Sequence, residues 1–183
     1  MIIALQVLLT LLILGSIGFY FACAYFTRRF FASPASPLTL PPSPLPPVSL
    51  LVPACGVDAE AWEKWSSLCT QDYPDYEVLF GVTDPNDACI PVLEKLLATY
   101  PDRVQLLTGL APRGINYKDS NLSYLLEKAK HDWIIFADSD ICVSPNYIQI
   151  VTQPLSDETV GMVTCAFIGY EPHYLGSALA SLG

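Results

Sequence analysis

The stretch WIIFADSDICV, residues 133–143, runs five apolar residues into two aspartates one residue apart and then turns apolar again. Trp133–Ala137 reads as a strand, a short apolar run that leads straight into the acids. Asp138 and Asp140 then stand at the strand's C-terminal end, where open α/β sheets place their ligands. Two carboxylates so spaced can hold a hard divalent cation such as Mg²⁺ or Mn²⁺, which keeps waters and bridges to the phosphates of a nucleotide. The same acids can also simply end the strand or cap a helix after it. Apolar sequence on both sides argues against a merely solvated face.

Outward from this stretch, short apolar runs alternate with longer amphipathic ones, as repeated βα units do. Strands are expected at Val48–Pro53, Tyr76–Val82, Val104–Leu107, Trp133–Ala137 and Val160–Phe167. Helices are expected between them, at Ala59–Thr70, Ala88–Tyr100, Asn121–Lys130 and Pro145–Gln153, the last with Ser144 as N-cap and Pro145 in the first helical position. The expected fold class is α/β, a mostly parallel sheet with helices on both faces, preceded by one transmembrane helix.

That helix comes from the N-terminus, where the first 27 residues carry no charged side chain. The apolar run exceeds the roughly 20 residues that span a bilayer. A cleaved signal peptide would have a positive n-region and a shorter apolar core, so residues 1–27 read as an uncleaved anchor. Arg28 and Arg29 come directly after it and place the rest of the chain on the cytoplasmic side. Residues 34–47 hold seven prolines and no charge, which makes 28–47 a basic pair and a semi-rigid spacer. A ligand for an SH3-type module is the other reading of the prolines, but no basic residue flanks them closely. Residues 48–183 form the domain. The formal net charge of -9 excludes a nucleic-acid partner, which is held through Lys and Arg clusters. An anionic nucleotide would need a metal bridge.

Two further segments bear on that nucleotide. YEVLFGVTD, residues 76–84, delivers Asp84 to the same sheet edge as Asp138, although Asp84-Pro85-Asn86-Asp87 is also strong turn chemistry. GINYKDSNL, residues 114–122, leads from a loop into a helix and carries Lys118. A helix N-terminus with a lysine beside it suits a diphosphate; Asn and Ser there are also ordinary caps.

PPVSLLVPACGVD (46–58), QDYPDYEVLFGVTDPND (71–87), GINYKDSNL (114–122) and WIIFADSDICVSPNYI (133–148), in this order, resemble the GT-A glycosyltransferases of the family-2 type. The GxNxKxxNL string and the lack of a PxYN opening make the likeness closest to the ceramide glucosyltransferase group and its bacterial hopanoid-associated relatives. The resemblance implies a GT-A fold and transfer of a hexose from a nucleotide-sugar donor, UDP, to a lipid acceptor such as ceramide or a hopanoid. Carried over residue by residue, Pro53 and Glu77 line the nucleotide pocket and Asp84 matches the first acidic motif. Asp138 matches the second and holds the metal with Asp140, where some ceramide-branch members have Gly. Lys118 and Asn121 match the basic and amide positions of the donor site.

The family pattern continues with a third acidic motif, which supplies the catalytic base, and a (Q/R)xxRW motif; neither occurs in these 183 residues. The chain therefore reads as the N-terminal part of such an enzyme, with its catalytic residue unassigned, Glu171 and His173 included. The alternative is a non-catalytic remnant that binds nucleotide sugar without transferring it. A nucleotidyltransferase would carry a Gly-rich basic loop after the first strand, and Ala54-Cys-Gly-Val-Asp58 lacks the basic residue. The six cysteines, at 23, 55, 69, 89, 142 and 165, show no metal-like spacing and read as reduced, mostly buried small hydrophobes. His131 and His173 are too far apart in sequence to suggest a zinc site.

Overall fold

In the computed structural model, residues 2–32, 45–58, 60–166 and 169 are described. The expectations for Ala59, Phe167, Glu171, His173 and most of the proline segment fall outside them. The chain divides into two compact units, Met1–Thr39 and Leu40–Gly183.

The described part of the first unit is a single helix, α1 (Ile2–Ala32), with no buried residue. It is long and apolar enough to cross a membrane by length and composition, with a mean hydropathy of 2.4.

The described residues of the second unit are built on four strands, β1 (Val48–Ala54), β2 (Tyr76–Val82), β3 (Val104–Thr108) and β4 (Trp133–Phe136). They form one sheet in the order β3-β2-β1-β4, and every pairing is parallel. The central strands are apolar because they are covered on both faces: Val48, Leu50, Leu51, Val52, Val78, Leu79, Phe80 and Val82 are fully buried. Helices α2 (Ala61–Cys69) and α3 (Ile90–Thr99) contribute Trp65, Leu68, Leu93 and Leu96 to the larger core, while α4 (Tyr117–Lys128) packs Leu125 against Leu51 and Leu79 in a smaller one. A short helix, α5 (Tyr147–Thr152), buries Ile148 near the end of the described chain.

Three expectations about elements are corrected. Residues 160–166 form no strand; the run Val160–Ala166 has the composition of one but joins no sheet, and β4 stays at the edge among the described residues. Helix α4 begins at Tyr117 rather than Asn121, because the Asn116 side chain accepts hydrogen bonds from the Lys118 and Asp119 amides and caps it there. Helix α5 begins at Tyr147, with Asn146 rather than Ser144 in the cap position and no side-chain cap bond; the Ser144 hydroxyl donates to Asn146 Oδ1 instead.

Candidate functional site

The chain builds β1, β2 and β3 outward in one direction and then returns to place β4 on the other side of β1. The direction of winding therefore reverses between β1 and β4, and the loops at their C-terminal ends diverge around a crevice. Pro53 helps to open it. Leu51 O accepts from Ala137 N at 3.0 Å, and strand alternation aims position 53 toward β4 as well, but proline has no N–H to continue the ladder. β4 separates from β1 at that level.

A cavity of about 320 Å³ lies there, lined by Cys55, Gly56, Asp58, Trp65, Ser139 and Asp140 among others. Its walls are tied together. Trp65 Nε1 donates to the Ser139 carbonyl at 2.8 Å, and the Ser67 hydroxyl accepts from Val143 N at 3.1 Å. Gln71 donates to Ser144 O and accepts from Ile148 N, at 2.9 and 3.1 Å. Helix α2 and the loop after it thus fix the whole segment beyond Asp138. On the other side, Asp87 accepts from Gly56 N at 2.9 and 3.1 Å and from Cys89 N at 2.9 Å, which holds the β1–α2 turn against the start of α3. Gly56 turns there with φ of 70°, a conformation glycine adopts without strain.

The charges at this edge are mostly negative: Asp58, Asp84, Asp87, Asp138 and Asp140 stand against Lys64 and Lys118. The Cys89 amide, with other donors that include the Gly56 amide, keeps the Asp87 carboxyl below the usual range. Its carboxylate in turn holds the Cys55 thiol above its ordinary value, and burial, aided by Asp87, pushes Cys89 to about 12. Both thiols therefore stay protonated at neutral pH. Lys64 donates to Asp58 at 2.6 Å; this bond, with smaller contributions that include Asp140, raises its pKa.

The expected site residues separate into two groups. Asp84, Asp138, Asp140 and Lys118 are all exposed, and the acids stand at the C-terminal edge of the sheet, two residues beyond β2 or two to four beyond β4. Asp84 also fulfils its turn role, accepting from Asn86 N at 2.8 Å. Lys118, in the first turn of α4, forms an ion pair with Asp138 across 20 residues of sequence. Asp140 faces the cavity instead.

Glu77 and Asn121 lie elsewhere. Glu77 is the second residue of β2, opposite Ser49, at the far end of the sheet from Asp138. Its buried carboxylate accepts from Ser49 Oγ, Gln105 Nε2 and Lys130 N, each at 2.7 Å, and pairs with Lys130 Nζ at 3.2 Å. Burial pushes this carboxyl up, but the Lys130 and Ser49 donors outweigh it and the net shift is downward. Asn121 is buried between α4 and the sheet, where its Nδ2 donates to the Gly81 carbonyl at 2.8 Å. It docks the helix that carries Lys118. Sequence reasoning missed Trp65 and Asp87: the first because its bond to Ser139 spans 74 residues, the second because it was read only as part of a turn.

Among the described residues no group of three or more His, Cys, Asp or Glu could hold a metal ion. Two exposed carboxylates, one of them already balanced by an ammonium, fit a hard cation that completes its shell with water and ligand oxygens; they do not fit an all-protein cage. The cysteines are all free, and only Cys69 and Cys89 are buried, so the expectation that most of them fill the core is corrected.

The family model for glycosyl transferase family 21 matches residues 8–183. Ceramide glucosyltransferase 3 of Caenorhabditis elegans is 31% identical over 124 residues, covering 67% of this chain and 27% of that protein. The ceramide glucosyltransferase of Candida albicans is 33% identical over 115 residues, covering 56% and 21%. The chain thus spans about a quarter of the length of these relatives. Among solved structures, a mannosyltransferase from Pyrobaculum calidifontis in complex with GDP-Man and Mn²⁺ superposes with a TM-score of 0.63 at 23% identity, over 79% of this chain and 42% of that one. This likeness establishes the GT-A fold.

Proposed function

The chain belongs to glycosyl transferase family 21, and from that premise we propose that it forms the donor-binding part of a transferase that moves a hexose from UDP to the hydroxyl of a lipid such as ceramide or a hopanoid. The observation that carries this reading is the placement of Asp138 and Asp140 at the point where the sheet reverses its winding, beside a cavity and within reach of one lysine. A nucleoside diphosphate approaching an edge dominated by aspartates is repelled unless a divalent cation intervenes. Asp138 and Asp140 would hold that cation, Mg²⁺ or Mn²⁺, and the solved mannosyltransferase of like fold is in complex with GDP-Man and Mn²⁺. When bound, the metal neutralises the charge that builds on the departing diphosphate.

The protein's own groups have separate tasks. Asp138 and Asp140 would offer oxygen ligands from one loop. Lys118 offers an ammonium to phosphate, and the N-terminus of α4 adds its dipole. Asp84 and the opening at Pro53 border the nucleoside, while Trp65 keeps the loop between the two acids in place through Ser139. The apolar helix α1 fits a lipid acceptor, which is presented at a membrane surface.

The test is calorimetric titration of the full chain in detergent micelles with UDP, with and without Mn²⁺, beside an Asp138→Ala, Asp140→Ala double variant. We expect UDP binding that depends on Mn²⁺ and is lost in the variant. A folded parent, checked by circular dichroism, that ignores UDP in the presence of Mn²⁺ refutes the reading.

A further inference from the structure

Asp138, the acid proposed to hold the metal, is not free in this structure. The Lys118 ammonium is bound to it, and both side chains are about half exposed, at 55% and 49%. Lys118 is also held from behind. Asn116 caps the helix through the Lys118 and Asp119 amides, and one turn later Asn121 fixes the helix to Gly81. The backbone that carries Lys118 is therefore anchored at two points, and only its four-carbon stem can move. An ammonium is a compact charge with three donors and no directional fork, suited to leaving one oxyanion for another.

We propose that Lys118 and the divalent cation compete for Asp138, and that the incoming diphosphate resolves the competition by taking the ammonium, so that metal and nucleotide bind cooperatively through Lys118. This rests on the donor-site reading and deepens it. A metal arriving alone must break the Lys118–Asp138 pair. A nucleotide arriving alone either finds the ammonium engaged or strips Asp138 of its partner and adds negative charge beside Asp84, Asp138 and Asp140. With both present, Asp138 faces the metal and Lys118 faces phosphate, so neither side chain is left without an opposite charge. Binding of either ligand therefore favours the other by the same factor. The part of that factor due to Lys118 is bounded by what an exposed ion pair commands, roughly two- to five-fold in affinity.

Mn²⁺ binding decides the matter, followed on the full chain in detergent micelles by the loss of the free-ion electron paramagnetic resonance signal, with and without UDP, for the parent, Lys118→Met and Lys118→Arg. Without UDP, Lys118→Met should bind Mn²⁺ about two- to five-fold more tightly than the parent, and Lys118→Arg, which keeps the charge, should show no such gain. UDP should tighten Mn²⁺ binding by a larger factor in the parent than in Lys118→Met. Circular dichroism checks that each variant is folded like the parent. If removing the ammonium brings no gain in Mn²⁺ binding, whether because both chains bind equally or because neither binds, the proposal is overturned. Failure of the donor-site reading looks different: UDP then changes Mn²⁺ binding in no variant, while the comparison with metal alone still decides whether Lys118 competes.

Discussion

Four donors converge on the Glu77 carboxylate: the Ser49 hydroxyl, the Gln105 amide, and the backbone and side-chain nitrogens of Lys130. They come from β1, β3 and the turn before β4, so one buried charge on β2 joins three strands and that turn at the N-terminal end of the sheet. Glu77→Ala leaves those donors facing each other without an acceptor and should cost about 3 kcal/mol, read from urea unfolding at pH 7. A pH series separates this role from ordinary packing. The folded Glu77 carboxyl holds its proton less tightly than an unfolded one, so its contribution is complete above the unfolded value of about 4.3 and is lost as pH falls through the folded value. The parent should therefore lose stability across that acidic window, and Glu77→Gln should show a flatter profile. The strand was legible in the sequence, and so was the position of Glu77 at its start. Only the family pattern drew the residue toward the nucleotide, whereas the charge partners that explain it are 28 to 53 residues away and leave no local signal.

At the scale of elements, the contact between α4 and β2 sets where Lys118 reaches. A Cβ added at Gly81 would lie 2.0 Å from Asn121 Oδ1 and 3.0 Å from Leu125 Cδ2, so only glycine lets the helix come this close. Gly81→Ala should push α4 outward, with a loss of about 1–3 kcal/mol from overpacking. It should also weaken Mn²⁺-dependent UDP binding although position 81 touches no ligand. Unfolding midpoints and the calorimetric titration check the two effects, and an unchanged unfolding midpoint would mean that the helix is not seated this closely. The start of α4 shows why element boundaries were harder to read than elements. Gly114, Asn116 and Ser120 all favour loops, yet a single Asn116 side chain that captures two amides starts the helix at Tyr117. Residues 160–166 failed as a strand for the opposite reason. An apolar run supplies propensity, but a strand needs pairing, and residues 160–166 pair with none, although β4 leaves one edge of the sheet open among the described residues.

At the scale of the whole molecule, α1 exposes Leu, Ile, Phe and Tyr side chains along its length, a surface that water does not tolerate on an isolated helix. Its 31 residues extend about 46 Å at about 1.5 Å per residue, beyond the roughly 30 Å of a hydrocarbon core. The C-terminal end of the helix, which carries Arg28 and, in its last turn, Arg29, can then stand outside it. Burying both arginines at mid-bilayer would cost roughly 5–7 kcal/mol, so a spanning α1 should keep them outside the core, and the positive-inside tendency predicts the cytoplasmic side for residues 45–166. The chain should remain with the membrane pellet after alkaline carbonate extraction, and release into the supernatant would refute a spanning helix. Protease added to inverted vesicles should degrade residues 45–166, while the same protease outside intact cells should leave them whole. The reverse pattern would place the aspartate edge on the side opposite the cytoplasm, away from the compartment where a nucleotide-sugar donor is expected. Sidedness thus tests the proposed chemistry as well as the topology, because Asp138, Asp140 and Lys118 can act only where their donor is present.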